Sequence, residues 1–178
     1  AALRRLLGDH VRQAGSLVDP DRLRFDFTHP SPLTADELEA VQAWVNSEVL
    51  KDHSVETRLT EVRAAVEAGA MALFGEKYDD RVRVVRIGEF SLELCGGTHV
   101  RSTGEIGSFD FVSESGIAAG TRRGEALTGT GAARAMRQRR ELLTALGARL
   151  NAAPEELGDK LGALLGHNRE LERGLDEL

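Results

Sequence analysis

The order of patterns along this chain predicts an α+β fold: a mixed or antiparallel sheet with helices packed on it, followed by a C-terminal helical coiled-coil arm. Three observations predict it. Short alternating runs such as Leu23-Arg24-Phe25-Asp26-Phe27 read as half-buried strands, a capped apolar-faced stretch from Thr34 to Leu50 reads as a helix between them, and a leucine heptad seam runs to the end of the sequence. We divide the chain accordingly into residues 1–130, a folded domain, and residues 131–178, a helical linker with a coiled-coil or dimerisation segment.

Each element follows from local chemistry. The opening Ala1-Ala2-Leu3-Arg4-Arg5-Leu6-Leu7 reads as the middle of an amphipathic helix, with no initiator Met and no N-cap ahead of it, so the sequence looks cut from a longer protein. After the Leu23–Phe27 strand, Pro30 and Pro32 break the chain. Thr34 and Glu37 then form a capping box, Leu33 and Leu38 a hydrophobic staple, and Leu38, Val41, Val45 and Val49 recur on one helical face. Val55–Leu59 reads as a strand, residues near Glu61 to Ala68 as a short helix, and Val82–Ile87 as a buried strand after a loop at Gly75–Asp80. Ser91-Leu92-Glu93-Leu94-Cys95 alternates so that Leu92 and Leu94 face one side while Glu93 and Cys95 face the other. Ser108–Val112 and Arg122–Leu127 complete the strands. Between them, Ser115–Thr121 is rich in small residues and reads either as a close-approach loop for a ligand or as a plain hairpin connection. Beyond Pro154, Leu157, Leu161, Leu164, Asn168, Leu171, Leu175 and Leu178 follow steps of four and three, a heptad seam with Asn168 at an a position, which leaves a helical hairpin and a dimer both open.

Composition narrows the function classes. The 178 residues are 41% hydrophobic and 29% charged, ordinary for a globular chain. A single cysteine excludes an internal disulfide, and no apolar run is long enough to span a bilayer, so a reducing, cytoplasmic location without a membrane is expected. The net charge of −6 argues against a generic polyanion binder. From Pro154 onward seven acids face three bases, so that stretch holds −4 of the total, and the nearly neutral body carries arginine pairs at Arg4-Arg5, Arg122-Arg123 and Arg139-Arg140. Those pairs are either solvated surface charge or, if they converge, a polynucleotide contact.

The chemistry concentrates in Glu93-Leu94-Cys95-Gly96-Gly97-Thr98-His99. A thiol and an imidazole four residues apart flank two glycines, whose tolerance of positive φ is expected to let His99 swing back towards Cys95. Zinc prefers four ligands and takes sulfur at about 2.3 Å and imidazole nitrogen at about 2.0 Å, so this hairpin holds at most half a site. An unligated core cysteine with an unrelated histidine is the competing interpretation. His10, His29, His53 and His167 are scattered singles without ligand spacing.

Together with Arg12-Gln13-Ala14-Gly15-Ser16-Leu17, Leu23–Phe27, the stretch Gly69–Tyr78 and Arg122-Arg123, this motif resembles the editing domain of the alanyl-tRNA synthetases. The likeness runs from Ala1 to about Thr130, and the helix after it resembles the start of that family's dimer-forming C-terminal region. The resemblance implies a zinc-dependent hydrolase that clears serine or glycine from mischarged tRNA for alanine. It assigns zinc to Cys95 and His99, together with a His-x-x-x-His pair expected just ahead of Ala1. It gives Glu93 a supporting or proton-handling part and makes Gln13 the pocket residue that orients substrate or water. Lys77, Arg122 and Arg123 become candidates for the tRNA acceptor end, and a homodimer through the C-terminal helix is expected. A freestanding trans-editing deacylase, or a tRNA-binding and oligomerisation fragment with an inactive half-site, are the alternatives. Gly124 departs from the family pattern, where a larger apolar residue is expected, and a loosened last strand would cost ~1 kcal/mol or more.

Overall fold

Capping and apolar periodicity set the helix that organises the N-terminal part. The computed structural model describes residues 1–71 and 80–176, and the chain divides into two compact units, Ala1–Ala133 and Arg134–Leu178. Helix α2 (Ala35–Leu50) starts at Thr34, whose side chain accepts from the Glu37 amide at 3.2 Å while the Glu37 carboxylate accepts from the Thr34 amide at 2.8 Å. This reciprocal cap satisfies two otherwise orphaned donors. Val41 and Val49 are buried along its inner face. Helix α1 (Ala2–Leu7) brings Leu3 and Leu7 against a cluster of Val11, Phe27 and Leu33, which Leu38 of α2 also joins.

The strands form two antiparallel sheets rather than one. The first has the order β1-β2-β7-β6, built from β1 (Gln13–Val18), β2 (Leu23–Thr28), β6 (Phe109–Ala118) and β7 (Thr121–Thr128). Phe27, fully buried, anchors it to the helices. The open edge of β6 is sealed by α2: Gln42 Oε1 accepts from the Phe111 amide at 2.7 Å, and the Asn46 carboxamide both accepts from and donates to the Phe109 backbone, at 2.8 and 2.9 Å. Two amide side chains thus stand in for a neighbouring strand, one of the ways a sheet edge is closed.

The second sheet is a meander of β3 (Val55–Glu61), β4 (Arg81–Ile87) and β5 (Ser91–Leu94), with helix α3 (Val62–Glu67) after β3. Its core is Ala65, Val82, Val84 and Leu94. The C-terminal part consists of α4 (Gly129–Leu150), a single 3-10 turn at Pro154–Glu156, and α5 (Leu157–Asp176). Leu161, Leu164, Leu171 and Leu175 of α5 are exposed.

Strand β1 and Gly124 differ from the expectations above, and the 115–121 stretch takes one of the two forms left open. Strand β1 was not anticipated, because its residues are largely exposed and Gly15 interrupts any alternation. Residues 115–118 belong to β6 and Gly120, at φ +69°, makes the turn, so the small-residue stretch is a hairpin and not a ligand loop. A Cβ at Gly116 would lie 2.8 Å from Arg122 Nη1, so a side chain there would displace the end of that arginine. Gly124 is buried in a β7 that pairs on both sides, and a Cβ there would lie 2.8 Å from the Phe111 ring. The phenyl ring fills the space a larger residue would occupy.

Candidate functional site

Register decides which side chains meet around the cysteine. Strand β5 pairs with β4 as Val84↔Leu94, Val85↔Glu93 and Arg86↔Leu92. Leu94 points into the core, so the alternate residues Ser91, Glu93 and Cys95 share the opposite side. Ser91 Oγ donates to Glu93 Oε1 at 2.9 Å, and Cys95 is half-buried with a free thiol.

The strand continues one pairing further than its regular span. The Cys95 amide donates to the Arg83 carbonyl at 3.1 Å, and the Arg83 guanidinium donates through Nη1 to the Gly97 carbonyl. One residue therefore holds the bend on both sides of Gly96. Neither Gly96 nor Gly97 adopts a left-handed backbone, which corrects the expectation that positive φ makes this turn. A Cβ at Gly97 would lie 3.6 Å from Cys95 Sγ, an ordinary contact distance, so the thiol and this backbone are neighbours. The thiol lies over the bend. At its far end the chain is tied down again: Arg101 accepts from the Val55 amide at 2.9 Å, and the buried Thr103 hydroxyl donates to the Glu48 carbonyl of α2 at 2.8 Å.

His99 is exposed at the level of the residue, but its ring is partly sheltered. That burial, and next the nearby Arg83 charge, hold its pKa below the ordinary 6.5, with the Glu93 carboxylate opposing. A neutral imidazole at pH 7 leaves one ring nitrogen with a free lone pair. Thiol and neutral imidazole are donors zinc accepts, so the pair suits the metal in kind. It is incomplete in number. Among the described residues no three His, Cys, Asp or Glu side chains converge on a common point.

The other sequence-predicted residues stand elsewhere. Gln13 opens β1 on the first sheet and donates to Ser16 Oγ at 3.1 Å, with no hydrogen bond to Glu93, Cys95 or His99 among the described residues. Arg122 forks onto Glu114, and Arg123 onto the buried Asp26 at 2.7 and 2.8 Å. Lys77 lies outside the described residues. His10 Nε2 and His29 Nδ1 are engaged with each other at 2.9 Å. A cleft of about 480 Å³ beside α1, walled by Arg4, Arg5, Arg86 and Leu92 among others, contains neither Cys95 nor His99. Arg83 is the residue that sequence reasoning missed; only the β4–β5 register brings it under a bend fourteen positions away.

Residues 82–123, which carry the bend, match a family model described as threonyl and alanyl tRNA synthetase second additional domain. The chain is 52% identical over all 178 residues to an alanine–tRNA ligase of Acidithiobacillus ferridurans, of which it covers 20%. It is 53% identical over its full length to that of Nitrosomonas eutropha, covering 21%, and 54% identical over 176 residues to that of Nitratidesulfovibrio vulgaris, covering 20%. On these matches the chain corresponds, over its whole length, to about a fifth of an alanine–tRNA ligase, and its residues 82–123 are similar to the second additional domain of the threonyl and alanyl tRNA synthetases.

Proposed function

We propose that this chain carries an editing site that hydrolyses the ester of serine or glycine wrongly joined to tRNA for alanine. The observation that carries the reading is the Cys95–His99 bend, fixed from both sides by Arg83 within a segment matching the synthetases' second additional domain. Cys95 as thiolate and His99 as neutral imidazole would hold zinc as two of its ligands. When bound, that ion supplies a Lewis-acidic centre beside the ester.

The chain's own groups divide the remaining work. Glu93 Oε1 is anchored by Ser91, which leaves Oε2 to take a proton from the attacking water. The water oxygen bonds to the acyl carbon, the ester C–O bond breaks, and the ribose hydroxyl leaves with a proton. An aminoacyl ester is already activated, so positioning supplies most of what such a site needs. A separate hydrolytic sieve is useful because a synthetic pocket discriminates poorly between amino acids that differ by one small group.

The test is release of serine from seryl-tRNA for alanine by the full-length enzyme carrying this segment, with zinc measured by mass spectrometry. Cys95→Ala should remove the metal and lower the hydrolysis rate by at least ~100-fold. Full zinc content in that variant would refute the ligand assignment. A further part of the proposal is self-association through α5, whose leucines at heptad spacing are uncovered.

A further inference from the structure

Two of the arginines that sequence reading offers to a polynucleotide, Arg122 and Arg123, are taken. Arg122 is held by Glu114 and Arg123 by Asp26, each through two hydrogen bonds. A guanidinium forked onto a carboxylate has committed its Nε–Nη2 pair and neutralised its charge locally, which weakens its pull on a phosphate. A row of arginines without such partners among the described residues lies on α4. That helix carries Arg134, Arg137, Arg139, Arg140 and Arg149 against a single acid, Glu141, and no lysine. Arg134, Arg137 and Arg140 are exposed and follow one another at steps of three, a row of roughly 9 Å along one side of the helix at 1.5 Å per residue. Among the described residues no ion pair or side-chain hydrogen bond engages these three guanidinium groups. Glu141 sits four residues from Arg137 and makes no ion pair with it.

We infer that the Arg134–Arg137–Arg140 face of α4 docks the phosphate backbone of an RNA duplex, as a contact additional to the hydrolytic site. The inference rests on the editing reading for the identity of the RNA, a tRNA stem. Charge complementarity selects a polyphosphate, and guanidinium forks match phosphate oxygens in pairs. The duplex form follows from what α4 lacks. It holds no aromatic side chain on which an unpaired base would stack, so contact is confined to a backbone whose bases are already paired. The apolar residues Met136, Leu142, Leu143 and Leu146 lie to the other side of the helix and leave the arginine row unobstructed.

Binding of the full chain to a short RNA hairpin, to its unpaired strand and to phosphatidylserine vesicles, measured across salt concentrations, tests the inference. The triple variant Arg134→Gln, Arg137→Gln, Arg140→Gln should bind the hairpin at least ~10-fold more weakly at low salt, and its log–log salt slope should shrink by about two to three. The triple Arg→Lys variant should retain most of that slope, and circular dichroism should show α4 intact in both. An unchanged slope in the Gln variant overturns the inference, as does a loss confined to vesicles or an equal loss for the unpaired strand. Deacylation by Cys95→Ala is read separately. If that variant still edits while the Gln variant loses RNA, the hydrolytic reading fails and the docking face stands.

Discussion

At the scale of single residues, the buried Asp26 links sequence to stability most directly. It sits on β2 directly opposite Arg123 of β7, and the hydrogen bonds from Arg123 outweigh burial to hold its carboxyl below the usual 3.8, with the charges of Arg123 and Arg24 adding to the effect. A depressed folded-state pKa means that the contribution is complete above the unfolded value and is lost as pH falls through the folded one. Asp26→Asn should therefore lower stability at pH 7 by about 2 kcal/mol, the scale of a charged hydrogen bond, and should narrow the gap to the parent protein below pH 3.8. Urea unfolding followed by Trp44, the chain's one tryptophan, at pH 7 and at pH 3 checks this. Glu37, Glu48, Asp52 and Glu105 are also held below their ordinary values, so the variant should keep a residual acid sensitivity. None of this was visible in the sequence. Asp26 and Arg123 stand 97 positions apart, and only strand pairing turns an apparent phosphate donor into a structural ion pair.

At the scale of elements, legibility follows the range of the interactions. The α2 cap and its Leu33–Leu38 staple are local, so Thr34, Glu37 and the valine spacing were enough to place that helix. The Cys95 bend was readable as a motif, yet the reason for its shape was not. Its glycines use no positive φ, and the turn is held by Arg83 from the neighbouring strand. Arg83→Leu keeps the backbone acceptor for Cys95 and removes the donor to Gly97. Amide hydrogen exchange at Gly97 to His99 should then accelerate by roughly fivefold, as a lost hydrogen bond of about 1 kcal/mol implies, while the β3–β4 ladder stays protected. Equal exchange in both proteins would show that the guanidinium does not hold the bend. The β6 edge teaches the same lesson, since Gln42 and Asn46 look like ordinary polar positions of an amphipathic helix until Phe109 and Phe111 are placed beside them.

At the scale of the whole molecule, charge and apolar surface are distributed unevenly between the two units. The strands and α1 to α3 bury a mixed core, whereas α5 contributes no buried residue and presents Leu161, Leu164, Leu171 and Leu175 at 47 to 71% exposure. A helix so lined loses apolar contact with every residue it leaves in water, at about 25 cal/mol per Å². The proposed remedy is a second copy of α5 against the first. Asn168 falls at an a position of that seam and already donates to Glu172 Oε1 of its own helix at 3.1 Å, so it would meet a partner without an orphaned amide. Sedimentation equilibrium should find the chain associating at micromolar concentration. Leu164→Ala with Leu171→Ala should shift it to monomer, and Asn168→Leu should tighten association while broadening its stoichiometry, because the polar a position sets register at a cost in stability. A chain that sediments as a monomer before and after all three substitutions would remove α5 as an oligomerisation element and leave its leucines to cover some other surface.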